Sequence, residues 1–210
     1  MIELYYAPGT ASLVVHWLLL DLGVPHQLRR LDLDAREHKQ AAYLALNPAG
    51  VVPTLVIDGE AIFESAAIVL HLADRYPEAQ LAPPPGSLER ARYYQWIVHL
   101  ANQLMPAFRR WFYPQEAAGE SAIDAARDAA RDAIAAIWER IDAHLAKQGP
   151  YLLGSQLSAA DFLLTMLMRW SRNMPRPATD WAHLGELALT MKARPSFTRL
   201  YEIEGLTEWR

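Results

Sequence analysis

The sequence predicts two domains of different class. An α/β unit in the order β-α-β-α-β-β-α comes first, and a domain helical throughout follows it. Three observations predict this: strand-like and helix-like runs alternate over the first 75 positions, LAPPPGS (81–87) is the one proline-dense break, and beyond it apolar residues recur at helical spacing. The expected boundaries are 1–80, a linker at 81–87, and 88–210.

Each element has its own signal. IELYY (2–6) is a short apolar strand ended by Pro8-Gly9, and one of the adjacent Tyr5 and Tyr6 must point into the core. Thr10-Ala11-Ser12 opens the helix LVVHWLLLDLG, stopped by Gly23 with Pro25 beyond it. HQLRRLDL (26–33) reads as the second strand and REHKQAAYLALN (36–47) as the second helix. Val52-Pro53 heads the third strand. TLVI and AIF then form a hairpin across Asp58-Gly59, a pair suited to positive φ. Glu64-Ser65 stands at the start of the next helix, ahead of Ala67, Ile68, Val69, His71 and Leu72.

In the second half, Ile134, Ile137, Trp138, Ile141 and Leu145 form one apolar stripe at 3, 4 spacing. The repeated DAAR places Asp124 with Arg127 and Asp128 with Arg131 on its outer face. Ser158 and Asp161 read as a capping box before FLLTMLMRW, a folding element with no catalytic part.

Composition excludes several functions. With 210 residues and 52% hydrophobic content the chain can bury a substantial core. A net charge of −4 supplies no positive field for nucleic acid. No signal peptide and no membrane-spanning run is evident, which makes the cytosol the expected compartment. There is no cysteine, so disulfides, thiolate metal sites and cysteine nucleophiles are absent, and any reactive thiol must come from a ligand. The seven histidines show no metal-binding spacing, and no metal is expected; His16, His71, His99 and His144 read as core-edge or surface residues. GxSxG, P-loop and GxGxxG motifs do not occur.

Glu64-Ser65 carries the first chemical signal. Unpaired N–H groups at a helix start can take a carboxylate, and Glu64 can take an ammonium, so the pair can hold a zwitterion. A plain helix cap is the alternative for Ser65.

Taken together, PGTAS, NPAGVVPTL, ESAAI, QLAPPPGSLERARYYQW, YLLGSQLSAADFLL and ARPSF…EGL at these separations resemble the glutathione transferases, most closely the bacterial beta class. The resemblance spans nearly the whole chain. It implies an α/β thioredoxin-like domain followed by an all-α helical bundle, and conjugation of the glutathione thiolate to small apolar electrophiles. Glutathione would be a co-substrate with no resident cofactor, and the protein a homodimer. Glutathione-dependent peroxidase activity and a non-catalytic binding scaffold are the alternatives.

By the same resemblance Pro53 is cis and Val52 docks the tripeptide, while Glu64 and Ser65 hold its γ-glutamyl end. Arg36, His38 or Lys39 would meet its glycine carboxylate. The family cysteine falls at Ala11, so a hydroxyl must hold the sulfur ionised; Ser12 is the preferred donor, Thr10 the second, and an early tyrosine is less supported. Ser12 also reads as a simple N-cap. The electrophile pocket is expected between the domains, walled by Met105, Phe108, Arg109 and Trp111. There Met105-Pro106 replaces the His-Lys of the beta class, and Pro106 is expected to kink the helix.

Overall fold

The computed structural model describes residues 1–210, with the side chains of all but Ala117 and Glu120. Packing divides the chain into two compact units, Met1–Ala82 with Lys192–Arg210, and Pro83–Met191.

The first unit is built on strands β1 (Ile2–Tyr6), β2 (Gln27–Arg30), β3 (Thr54–Ile57) and β4 (Glu60–Phe63), with helices α1 (Leu13–Asp21), α2 (Ala41–Leu44) and α3 (Ser65–Arg75). The sheet order is β2-β1-β3-β4, with β1 parallel to β2 and antiparallel to β3, and β3 antiparallel to β4. Alternation explains β1: Ile2, Leu4 and Tyr6 are buried, so Tyr6 is the tyrosine that faces the core. Leu13 to Leu19 are all buried, which is why α1 has no polar face. In the hairpin Asp58 and Gly59 both have positive φ, 52° and 94°, as a two-residue turn between twisted strands requires.

The second helix is shorter than its sequence pattern. Arg36 is left-handed at φ 56°, a 3₁₀ turn covers Glu37–Lys39, and the extended Gln40 delays α2 to Ala41. Gly50 explains the close approach of the neighbouring loop. A Cβ there would lie 2.9 Å from the His38 carbonyl oxygen and 3.0 Å from Lys39 Nζ.

The second unit contains α4 (Leu88–His99), α5 (Met105–Phe112), α6 (Gln115–Ala118), α7 (Ile123–Gln148), α8 (Ala159–Trp170) and α9 (Ala182–Lys192), the last closing at the unit boundary. The five residues of the α7 stripe are buried, and Arg131 bonds Asp128 outside it at 2.8 Å. The capping box forms as expected: Asp161 Oδ2 accepts from the Ser158 N–H and hydroxyl, and Oδ1 accepts from the Leu152 N–H at 2.9 Å. The irregularity near Pro106 lies upstream of it. Leu100–Leu104 form a π-helical turn, and Pro106 then sits in the opening turn of α5, where its missing N–H matters least.

One helix packs away from its neighbours in sequence. α10 (Pro195–Glu204) belongs to the first unit, although the chain order places it within the expected helical domain 88–210. Its docking on α1 is polar as well as apolar. Arg194 grips Asp21 through two hydrogen bonds of 2.9 and 2.8 Å, the Trp17 indole donates to Ser196 Oγ at 3.0 Å, and the Trp17 and Phe197 rings meet at 5.1 Å.

Candidate active site

Strand register brings three segments to one end of the sheet. Tyr5 pairs with Thr54, and Thr54 with Phe63. The loop leaving β1 (7–12), the Val52-Pro53 step entering β3, and Glu64-Ser65 leaving β4 therefore share that end. Ala7, Tyr43 and Val52 pack in one cluster there.

The Val52-Pro53 peptide bond is cis. The preceding carbonyl, Val51, accepts from the Tyr43 hydroxyl at 2.6 Å and from Asn47 Nδ2 at 2.8 Å, which fixes the segment. Val52's own N–H and C=O bond no described residue, so both are available to an extended ligand. Beside them, Glu64 is exposed and held at φ 71°, while Ser65 opens α3 with 3% exposure. A non-glycine residue in this region costs of order 1–3 kcal/mol and persists where its surroundings over-determine it, commonly at a ligand clamp.

The loop after β1 redistributes the roles expected of its hydroxyls. Ser12 is fully buried and makes no side-chain cap. Its Oγ donates back to the Ala7 carbonyl at 3.0 Å and accepts from the Ala7 N–H at 3.2 Å, closing the loop on itself. Neither the outward sulfur donor nor the simple N-cap matches this placement. A hydroxyl with no exposed surface that is occupied on both sides has no route to a ligand atom. Thr10 is partly exposed, with Oγ1 2.7 Å from the Ala7 carbonyl oxygen and 2.9 Å from Ser12 Oγ. Ala7 O also accepts from the Thr10 N–H at 3.3 Å. With Ser12 and that N–H serving the carbonyl, the Thr10 hydrogen can turn outward without orphaning a buried acceptor.

Two functional residues escaped the sequence reading. Glu204, at the end of α10, accepts from the Gly9 N–H at 2.8 Å through Oε2, and from His16 Nδ1 at 2.8 Å through Oε1. Both side chains of the His16–Glu204 pair are completely buried, and His16 is thus a core residue rather than one at its edge. This clamp fixes the loop from behind. Tyr6 lies against His16 with ring centroids 5.7 Å apart; burial, then the nearby Glu204 charge, pushes its hydroxyl pKa above the usual phenol value. No local motif announces a contact between residues 9 and 204.

Of the three basic candidates, Lys39 Nζ reaches the Ala49 carbonyl at 3.3 Å, beside the docking segment. His38 has its pKa lowered by burial and by Lys39 and Arg36, which leaves it a poor anion partner near neutrality.

The expected electrophile wall is only partly a wall. Phe108 is fully buried in an aromatic core with Trp170 at 5.7 Å, Phe112 at 5.9 Å and Trp138 at 6.1 Å, so it lines no pocket. Helical periodicity is the reason: Leu104, Ala107 and Phe108 share the inner face of α5. Arg109 is engaged by Glu116 at 2.8 Å rather than left for an anionic substrate group. Met105 and Trp111 keep partial exposure, and Phe112 and Tyr113 are exposed. Among the described residues no group of three metal-ligating side chains occurs, and no helix is long and apolar enough to cross a membrane.

Comparison with known proteins agrees with this geometry. The description "Glutathione S-transferase, N-terminal domain" matches residues 10–75, and "Glutathione S-transferase, C-terminal domain" matches residues 124–201. A glutathione S-transferase of Xanthomonas campestris pv. campestris is 31% identical over 208 residues, covering 97% of this chain and 99% of the relative. The chain belongs to the glutathione S-transferase family. As a member it is an enzyme of the transferase class, and further relatives agree. GstA of Escherichia coli O157:H7 is 27% identical over 97% of this chain and 99% of its own length. Among solved structures, a bacterial beta-class glutathione S-transferase of Sphingomonas chungbukensis superposes with a TM-score of 0.86 at 30% identity, covering 98% of this chain and 100% of that one. A glutathione transferase homologue from Sulfitobacter, solved with bound glutathione, gives 0.89 at 25% identity over 99% of both chains.

Proposed function

We propose that this transferase binds glutathione at the sheet end described above and conjugates its thiolate to small apolar electrophiles. A free cysteine-type thiol ionises near pH ~8.5, so at neutral pH the protein must favour the anion. Thr10 is the sulfur donor in this reading, and Ser12 positions it. The observation that carries the assignment is the division of labour at the Ala7 carbonyl: Ser12 and the Thr10 N–H serve it, which releases the partly exposed Thr10 hydroxyl. The first turn of α1 adds N–H groups and the positive end of its dipole.

Val52 pairs with the middle of the tripeptide through its free N–H and C=O. Glu64 and Ser65 take the ammonium and carboxylate of the γ-glutamyl end, and Lys39 takes the glycine carboxylate. Met105 and Trp111 offer apolar surface to the electrophile, with Phe112 and Tyr113 in place of Phe108. Glutathione is a consumed substrate rather than a resident cofactor. A second copy of the chain packing on the exposed Leu88, Tyr94 and Val98 of α4 would give the homodimer implied by the family.

Isothermal titration with glutathione, followed by ultraviolet titration of the bound thiolate, tests the reading. Thr10→Val is expected to raise the apparent thiol pKa by about one unit, which is tenfold in thiolate below that pKa. Thr10→Ser should restore it. An unchanged pKa in Thr10→Val removes Thr10 from the role. Absence of glutathione binding at millimolar concentration would leave a scaffold without this chemistry.

A further inference from the structure

The second unit contains a cavity that this reading does not use. It has a volume of about 180 Å³ and is lined by Ile134, Ala135 and Trp138 of α7 with Met174, Pro175 and Arg176 from the segment after α8, while Arg131 and Asp132 stand at its edge. All of these residues fall within Pro83–Met191, whereas the proposed glutathione contacts fall within Met1–Ala82. Its floor is apolar and closed: Ile134 and Trp138 are fully buried, and Met174 is 7% exposed. An apolar cavity of about 150 Å³ is enough to hold one benzene ring.

Two polar features sharpen the chemistry. The Arg176 guanidinium lies over the Trp181 ring, 3.7 Å from its centroid, and Trp181 is itself buried. Stacking fixes the plane of the guanidinium and leaves its N–H edge free, the geometry that suits a carboxylate. Arg176 has no ion pair among the described residues. The neighbouring Arg131 differs, because Asp128 and Asp132 hold it at 2.8 and 2.9 Å and neutralise it. Arg176 is therefore the cation at this cavity without a carboxylate partner. The second feature is the indole N–H of Trp138, which is buried and meets no acceptor among the described residues. Buried donors in folded proteins are nearly always satisfied, and one left without a partner requires an explanation.

We infer that this cavity is a binding site for a small aromatic carboxylate. The single ring occupies the space between Ile134, Ala135 and Met174, the carboxylate meets Arg176, and an oxygen of the ligand accepts from Trp138. No covalent step is involved, and the site binds whether or not glutathione is present.

The test uses the full chain without glutathione and phenylacetate as the probe. The ¹³C-methyl resonance of Met174, assigned with Met174→Leu, should shift saturably at millimolar phenylacetate, and the Trp138 indole N–H resonance should move downfield as it gains an acceptor. Phenylacetamide, which has the same shape without the charge, should bind about tenfold more weakly. Arg176→Gln should weaken phenylacetate about tenfold and leave phenylacetamide unchanged. Ala135→Leu, which fills the cavity, should abolish both; if that variant does not fold, Arg176→Gln carries the test alone. No saturable shift, equal affinity for acid and amide, an indifferent Arg176→Gln or an unmoved Trp138 N–H would each overturn the inference. Loss of glutathione binding would bear only on the preceding proposal.

Discussion

Two buried carboxylates hold the two units together internally, and they do so over very different distances along the chain. Asp161 works locally, bonding Ser158 and Leu152, three and nine residues away. Glu204 works globally, reaching Gly9 and His16 across 195 and 188 residues. Asp161 fixes the start of α8 and the turn before it, so it serves folding alone. Glu204 fixes a loop whose outer side carries Thr10, so the same kind of interaction here serves the site. The position of a buried polar group, rather than its energy, decides whether it serves stability or function.

The largest effect expected from breaking this contrast is at Asp161. Asp161→Ala leaves two backbone N–H groups and a hydroxyl buried without their acceptor, and should cost about 3–5 kcal/mol in urea unfolding, with no selective effect on the KM for glutathione in whatever fraction folds.

The same residue makes the stability pH-dependent. Burial raises the Asp161 carboxyl to about 6 against an ordinary value of 3.8, its hydrogen bonds opposing the shift. A folded-state pKa above the unfolded one gives stability fully present below the unfolded value and lost as pH rises through the folded one. Wild type should therefore lose on the order of 3 kcal/mol relative to Asp161→Asn between pH ~4 and pH ~6, read from paired unfolding curves.

Glu204→Gln comes next. It keeps the shape but puts an amide donor where either Gly9 N–H or His16 Nδ1 already donates. A loss of about 2–3 kcal/mol is expected. Unlike the Asp161 variants it should also raise the KM for glutathione several-fold with a smaller change in kcat, because the loop loses its rear support. A stability loss with unchanged KM would show that the two carboxylates do the same job.

Ser12→Ala should be milder still. It costs about 1–2 kcal/mol and weakens glutathione binding, since Thr10 must then serve Ala7 instead of sulfur. Smallest of all is Arg109→Ala, an exposed pair with Glu116, where unfolding midpoint and kinetics should stay near wild type.

Local chemistry was legible in the chain itself. The α7 stripe, the Asp58-Gly59 turn, the capping box and the three site segments each rest on neighbours in sequence, where periodicity and turn chemistry act directly. Side-chain direction was not legible. Thr10 and Ser12 carry the same group two positions apart, and only the path of the loop shows that Ser12 folds inward while Thr10 stays partly open. Phe108 and Phe112 read alike as aromatic residues on one helix, yet the first is core and the second is exposed.

What the sequence by itself determined about this protein is its order of elements, its lack of any thiol of its own, and the places where a helix start or a proline could meet a tripeptide. These follow from composition and from interactions within a few residues, which the chain carries wherever it goes. Tertiary structure alone decided that α10 leaves its sequence neighbours to pack on α1, that Glu204 supports the loop at Gly9, and that Thr10 rather than Ser12 is placed to meet a ligand. Those outcomes depend on contacts between residues nearly two hundred positions apart, and such contacts exist only once the hydrophobic core has brought the two ends of the chain together.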